Sequence, residues 1–338
     1  MTTQELQAFS RRCEADKVTM SEKARSLIID YSNSEPPTLP VVDKQAVEAC
    51  PALNGPRALR VAEMFSGPGG IGVALNRAKA CGFSFEHVWA TDYDRDTCET
   101  YRRNVLKNDP SIPCYCEDVR NLDIDSLLPA DGFLYGFPCN DFSLVGETKG
   151  LKGQYGGLYA YGVRYINRVN PLFFFAENVS GLSSANEGKA FKQILSALNR
   201  AGKYGYAITA SLYKFEDYGL PQARHRYILI GIRGDLRLQF KVPKPSGKLT
   251  TCREALANIP KTAANQEPTR QTAAVVERLS YIREGENVWD AEESGRLPEH
   301  LKLNVKGARM SQIYRRLDST KPSYTITGSG GGGTHVYH

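Results

Sequence analysis

Cys139 is the residue of this chain best placed for covalent chemistry. It lies in Gly136-Phe-Pro-Cys-Asn-Asp-Phe-Ser143, directly after the apolar run Gly132–Phe137. A thiol on a loop at a strand end, approached through a stiff proline (Pro138), has the setting of a nucleophile. Only the thiolate attacks, so a positive field or nearby backbone N–H groups must draw its pKa down. Two further stretches hold charges where charges are costly. Glu177 follows the apolar run Leu172–Ala176, and a carboxyl there needs a partner or a task. Its apolar approach would favour the protonated form, able to give a proton near neutrality. Gln222-Ala-Arg-His-Arg226 precedes another apolar run. Its arginines alternate, so Arg224 and Arg226 share a face and offer planar donor forks to a base edge or a phosphate.

A fourth stretch is built to bind. Phe65-Ser-Gly-Pro-Gly-Gly-Ile-Gly72 follows a short apolar run and opens a helical pattern. Gly67, Gly69 and Gly72 satisfy G-x-G-x-x-G, whose glycines permit a tight turn and close approach of a ligand to the backbone. NAD and other adenosine-containing cofactors fit this signal equally. Asp92 ends the second strand-like run, where a carboxylate can accept from ribose hydroxyls. Tyr93 could stack on an adenine, and Asp118, after the run Pro113–Glu117, could accept from an exocyclic amine. Cys114-Tyr-Cys116 lacks the spacing of a zinc site, and no metal is expected.

These residues need a frame. Strand-like runs at Arg60–Phe65, His87–Thr91, Pro113–Glu117, Gly132–Phe137, Leu172–Ala176, Tyr206–Tyr213 and Tyr227–Arg233 alternate with helical patterns. The helical patterns cover Gly70–Ala80, Asp94–Asn104, Leu158–Arg168 and Ala190–Ala201. Such alternation predicts a doubly wound α/β domain, a mostly parallel sheet covered on both faces. Ligands of such sheets sit at the carboxyl ends of the strands, which is where the glycine loop, Asp92, Asp118, Cys139 and Glu177 fall. Residues 1–56 read as a helical extension ending in a proline-rich linker, 57–240 as the α/β domain, and 241–338 as a second, irregular region. The glycine- and polar-rich stretch 144–157 reads as a lid beside Cys139.

Composition narrows the classes. Of 338 residues, 41% are hydrophobic and 24% charged, which is globular usage and excludes wholesale disorder or coiled coil. No run reaches the ~20 apolar residues of a membrane span. The first residues lack the apolar core of a secretory signal. The expectation is therefore a cytoplasmic protein whose eight cysteines stay reduced. The net charge is +6, which permits an anionic partner. Lys302, Lys306, Arg309, Arg315, Arg316 and Lys321 stand against Asp318 in one short stretch; by itself such a run is most simply a solvated face.

Taken in order, FSGPGG, ATDYD, CEDV, GFPCN, ENV and QARHR resemble the DNA (cytosine-5)-methyltransferases of bacterial restriction–modification systems. The resemblance runs from about Leu59 to Arg233. It implies the Rossmann-like methyltransferase sheet, S-adenosylmethionine as cofactor, and double-stranded DNA as partner. By resemblance, Phe65, Ser66, Gly67, Gly69 and Gly70 form the cofactor loop. Asp92 then takes the ribose, Tyr93 and Val119 the adenine faces, and Asp118 the adenine amine. Cys139 is the nucleophile, positioned by Pro138; Glu177 and Arg226 bind the target cytosine, with Arg224 and Gln222 in support. The region from 241 becomes a partial target-recognition domain. Arg315, Arg316 and the pair Thr325-Ile326 contact DNA, and Gly330–Gly333 face its backbone. Asn140 stands where most bacterial members carry Gln. The family's last two motifs are not found, which implies a truncated form or a second polypeptide that supplies them. The rival readings are an RNA cytosine-5 methyltransferase and a non-catalytic DNA-binding subunit.

Overall fold

A computed structural model describes residues 58–78, 84–138, 157–179, 189–257, 259–260, 262–263, 270–305, 309–326 and 337. Cys139, Asn140, the 144–156 part of the expected lid, Lys306 and Gly330–Gly333 lie outside them. The apolar runs become β1 (Leu59–Met64), β2 (Phe85–Asp92), β3 (Cys114–Cys116), β4 (Gly132–Tyr135), β5 (Phe173–Val179) and β6 (Tyr206–Lys214). The helices between them are α1 (Gly70–Ala78), α2 (Arg95–Asn104), α3 (Tyr159–Val169) and α4 (Lys189–Asn199). Then follow the two-residue β7 (Gln222–Ala223) and β8 (His225–Arg233).

Seven strands form one sheet in the order β3-β2-β1-β4-β5-β8-β6. Chain order runs outward in opposite directions from β1 and β4, which are parallel neighbours. The gap beyond their carboxyl ends is therefore the switch point where such sheets bind ligands. The sheet is mixed, because β8 runs antiparallel to β5. An apolar run does not encode its direction. Residues 215–224 hold only a short 3-10 turn and β7, too little for the covering helix of a parallel return.

Aromatic packing fixes the sheet's interior. Phe133 and Tyr165 lie 4.6 Å apart between ring centroids, and Trp89 and Tyr165 5.1 Å. All three are fully buried, and each such side chain contributes on the order of 1.5–3 kcal/mol through area alone. Trp89 Nε1 and the Tyr165 hydroxyl both donate to the Leu128 carbonyl at 2.8 Å, so neither ring buries an unpaired donor. No helix among the described residues is long and apolar enough to cross a membrane.

The chain divides into two compact units, Met1–Leu212 with Arg226–Val242, and Tyr213–His225 with Pro243–His338. The sequence reading placed a boundary near 240 but kept 213–225 with the sheet. That segment joins the second unit because its partners are there. Ser246 N–H donates to the Asp217 carbonyl at 3.0 Å, and β7 pairs in parallel with β9 (Ser323–Tyr324). The second unit also holds α5 (Cys252–Ala257), α6 (Ala273–Ser280) and α7 (Val288–Glu293). Asn287 caps α7 in a reciprocal box with Asp290. Its small core gathers Ile282, Val288, Trp289, Leu297, Leu301 and Tyr314.

Candidate active site

The ends of β1, β4 and β5 meet at one place. A Cβ built on Gly136, just past β4, would lie 3.7 Å from Glu177 Oε2 on β5 and 3.8 Å from the Phe65 carbonyl past β1. The chain turns sharply after β1. Phe65 has φ 55° and Gly67 φ 54°, the left-handed region that a phenylalanine adopts only under constraint. The constraint is visible. Ser66 N–H donates to the Thr91 carbonyl at 3.0 Å, and Gly67 N–H donates to Asp92 Oδ2 at 2.9 Å. Gly69 has φ 97°, and a Cβ there would come within 2.5 Å of Val105 and 3.0 Å of the Tyr101 ring. No larger residue can hold the loop this close to α2. Gly70 is exposed with open space around it.

Phe65, Asp92, Tyr93, Asp118, Val119 and Pro138 line a single pocket. Its walls match a nucleoside. Phe65 and Val119 are apolar, Tyr93 is 77% exposed, and three carboxylates, Asp92, Glu117 and Asp118, line it beside Arg120. Asp118 accepts from Arg120 Nε and from Arg120 N–H, both at 2.9 Å. The side-chain bond first, then the backbone one, holds its carboxyl below the usual range. Asp92 also accepts from Asp94 N–H at 3.1 Å, so its oxygens organise the loop as well as face the pocket. Thr91, which the motifs did not single out, lines the same pocket. It is 2% exposed, and its hydroxyl has no hydrogen-bond partner among the described residues. An orphaned hydroxyl is costly in an apolar wall, and a ligand with an acceptor would relieve it.

On the β5 side, Arg226 Nε lies 2.8 Å from Glu177 Oε1. Arg226 pairs with Val179 and Ile228 with Glu177, so the two side chains are diagonal neighbours on one face. Glu177 is thus no carboxyl isolated among apolar groups: a guanidinium meets it. Asn178 faces the other way, is 1% exposed, and donates from Nδ2 to the Phe137 carbonyl at 3.1 Å. A buried amide thereby ties β5 to the segment leading into Pro138 and Cys139. Sequence reasoning quoted the ENV stretch without giving Asn178 this task; a buried polar residue at a strand end was the available signal.

The chain matches the family of C-5 cytosine-specific DNA methylases over residues 59–331. This chain belongs to that family. It is 54% identical to the type II methyltransferase M.BbvI of Brevibacillus brevis, over 82% of this chain and 76% of that one. It is 34% identical to the type II methyltransferase M.NgoFVII of Neisseria gonorrhoeae, over 88% of this chain and 76% of that one. A solved structure, described as a DNA modification methyltransferase encoded within an Escherichia coli prophage, has the same fold. Its TM-score is 0.52 at 22% identity, covering 80% of this chain and 82% of that one. The protein is a DNA (cytosine-5)-methyltransferase.

In the second unit of this methylase, β7 carries Gln222, and Arg224 follows it, its carbonyl accepting from Phe215 N–H at 3.0 Å. Thr325 Oγ1 donates to the Ala223 carbonyl at 2.8 Å, while Ile326 is exposed. The cations of the 301–321 stretch are largely engaged within the unit. Lys302 pairs with Glu299 and Lys321 with Asp318. Arg309 lies over the Trp289 ring and Arg315 over the Tyr324 ring, at 4.9 and 5.1 Å. Arg316 Nη1 donates to the Ile282 carbonyl at 2.8 Å.

Proposed function

We propose that this methylase moves a methyl group from S-adenosylmethionine to C5 of a cytosine flipped out of duplex DNA, as the modification enzyme of a restriction–modification system. The Glu177–Arg226 pair carries this reading. It stands at a strand end beside the segment that leads into Cys139, with a nucleoside-shaped pocket at the neighbouring strand ends.

The residues fit the cofactor. Phe65, Tyr93 and Val119 would enclose the adenine, with Asp118 accepting from its amine. Asp92 would take the ribose hydroxyls, and the Ser66–Gly70 backbone would take the amino-acid end. When bound, S-adenosylmethionine supplies an electrophilic methyl group on a sulfonium.

The remaining work falls to side chains. The Cys139 thiolate, brought up behind Pro138, adds to C6 of the base. The sulfur–carbon bond forms as the 5,6 double bond opens, and its electrons enrich C5. Negative charge spreads over the ring. Glu177 would stabilise it by giving a proton to N3, and Arg226 by donating at O2. After methylation a base takes the C5 proton, the 5,6 double bond reforms, and the thiolate leaves. A stacked cytosine cannot be attacked this way, and flipping it out costs a few kcal/mol. By the family resemblance, Arg224 would support Arg226 at the base, and Gln222, Arg315, Arg316, Thr325 and Ile326 would contact the DNA. A guanidinium stacked on a ring, as Arg315 is, is pre-organised for a phosphate.

The test is tritiated methyl transfer to mixed-sequence duplex DNA and to RNA, with Cys139→Ala beside the wild type. Label at C5 of DNA cytosine that disappears in the variant is the expected result. Label that persists in the variant would remove the covalent route, and label confined to RNA would overturn the substrate.

A further inference from the structure

Among the described residues of the first unit, Glu63 is the most deeply buried of the charged types, and the proposed mechanism does not use it. It sits on β1 between Ala90 of β2 and Leu134 of β4 and is 1% exposed. Its Oε2 accepts from the Tyr101 hydroxyl at 2.9 Å, while Oε1 is buried with no partner among the described residues. Among those residues, two titratable groups face this pair. His87 Nδ1 on β2 lies 3.4 Å from the Tyr101 hydroxyl, and Cys114 faces Tyr101 from β3. None of them is a permanent cation.

Tyr101 is also the surface on which the glycine loop rests. A Cβ on Gly69 would lie 3.0 Å from its ring, and one on Gly72 would lie 3.1 Å from its hydroxyl. Glu63 therefore fixes the hydroxyl that fixes the ring, and the ring fixes the height of the loop and the start of α1. Two residues beyond Glu63 the chain enters the strained turn at Phe65.

We propose that Glu63 and Tyr101 are positioning residues for the glycine loop, with Glu63 acting as a neutral carboxylic acid. The proposal rests on the reading of that loop as the S-adenosylmethionine site. Burial pushes the Glu63 carboxyl up to about 8, against a smaller lowering by the Tyr101 hydrogen bond. At neutral pH the acid then keeps its proton. Ionisation puts a charge with an orphaned oxygen under the loop, which must open to water or shift Tyr101. Cofactor affinity then falls about tenfold per pH unit above the transition, because binding takes up the missing proton.

The experiment uses the full chain in two arms. Calorimetric titration with S-adenosylmethionine from pH 7 to 9.5 compares wild type, Glu63→Gln, Glu63→Ala and Tyr101→Phe. The wild type is expected to weaken about fivefold between pH 8 and 9, and more steeply beyond. Glu63→Gln, a permanent neutral mimic, should hold a flat affinity and overtake the wild type at pH 9.5. Glu63→Ala and Tyr101→Phe should bind weakly at every pH. A flat wild-type profile, or a Glu63→Gln profile that tracks it, overturns the proposal. The second arm is urea unfolding of wild type and Glu63→Gln from pH 5 to 9. If the wild type binds no S-adenosylmethionine at any pH, the cofactor reading falls. The unfolding arm then decides alone, and equal pH slopes for the two proteins overturn the neutral acid.

Discussion

The strand-end site of the first unit and the basic stretch of the second reach function by opposite routes. At the strand ends the ladder sets position, and polar groups are left under-satisfied: among the described residues, Glu63 Oε1 and the Thr91 hydroxyl have no partner. In the 301–321 stretch, charge is abundant but engaged internally by Glu299, Asp318, the Trp289 and Tyr324 rings and the Ile282 carbonyl. A count of cations there overstates the field offered to a polyanion. Position at a strand end, by contrast, understates nothing.

The sharpest way to break this contrast is at the strand ends. Arg226→Ala removes the guanidinium from Glu177 and should lower kcat by about 10²–10³-fold, read by methyl transfer under saturating substrates. A loss below tenfold would deny the pair its electrostatic task. Next comes the pH dependence of stability. Folding keeps a proton on Glu63 that the unfolded chain releases near 4.5. The contribution is thus complete below that pH, falls as pH rises to about 8, and is flat beyond. The expected slope is about 1.4 kcal/mol per pH unit, of an order-of-magnitude kind, and Glu63→Gln should abolish it in urea titrations. Thr91→Val should stabilise the free protein by about 1 kcal/mol, since it deletes an unsatisfied hydroxyl. It should also weaken S-adenosylmethionine binding several-fold; unchanged affinity would show that the hydroxyl meets nothing in the pocket. The smallest effect belongs to the basic stretch. Lys302→Ala should leave the salt slope of DNA binding unchanged, where a true phosphate contact would lower it by about 0.9.

Much of the fold was legible because the chemistry lies on strand ends, and strand ends are written as apolar runs. Asp92, Asp118 and Glu177 each close such a run, and the structure brings the first two to one pocket. The antiparallel direction of β8 was not legible, since a run of Tyr227–Arg233 reads the same both ways. Nor was the transfer of 213–225 to the second unit, which depends on backbone bonds to residues 246 and 323. Glu63 could have been suspected, as a charge inside Val61–Phe65 has no reason to be there without a partner. Tyr101 could not, for nothing local marks the helix residue that a glycine will rest on. The fate of Arg309 and Arg316 depends on the Trp289 ring and the Ile282 carbonyl, distant in sequence, which a local charge count ignores.

The register of β5 against β8 has a further consequence. Glu177 and Arg226 are partners although residues 178–225 lie between them, because seven successive rungs from Phe173–Ile232 to Val179–Arg226 lock the two strands. Residues 215–224 lie outside those rungs, so a change of length confined to them alters neither the register nor the pair.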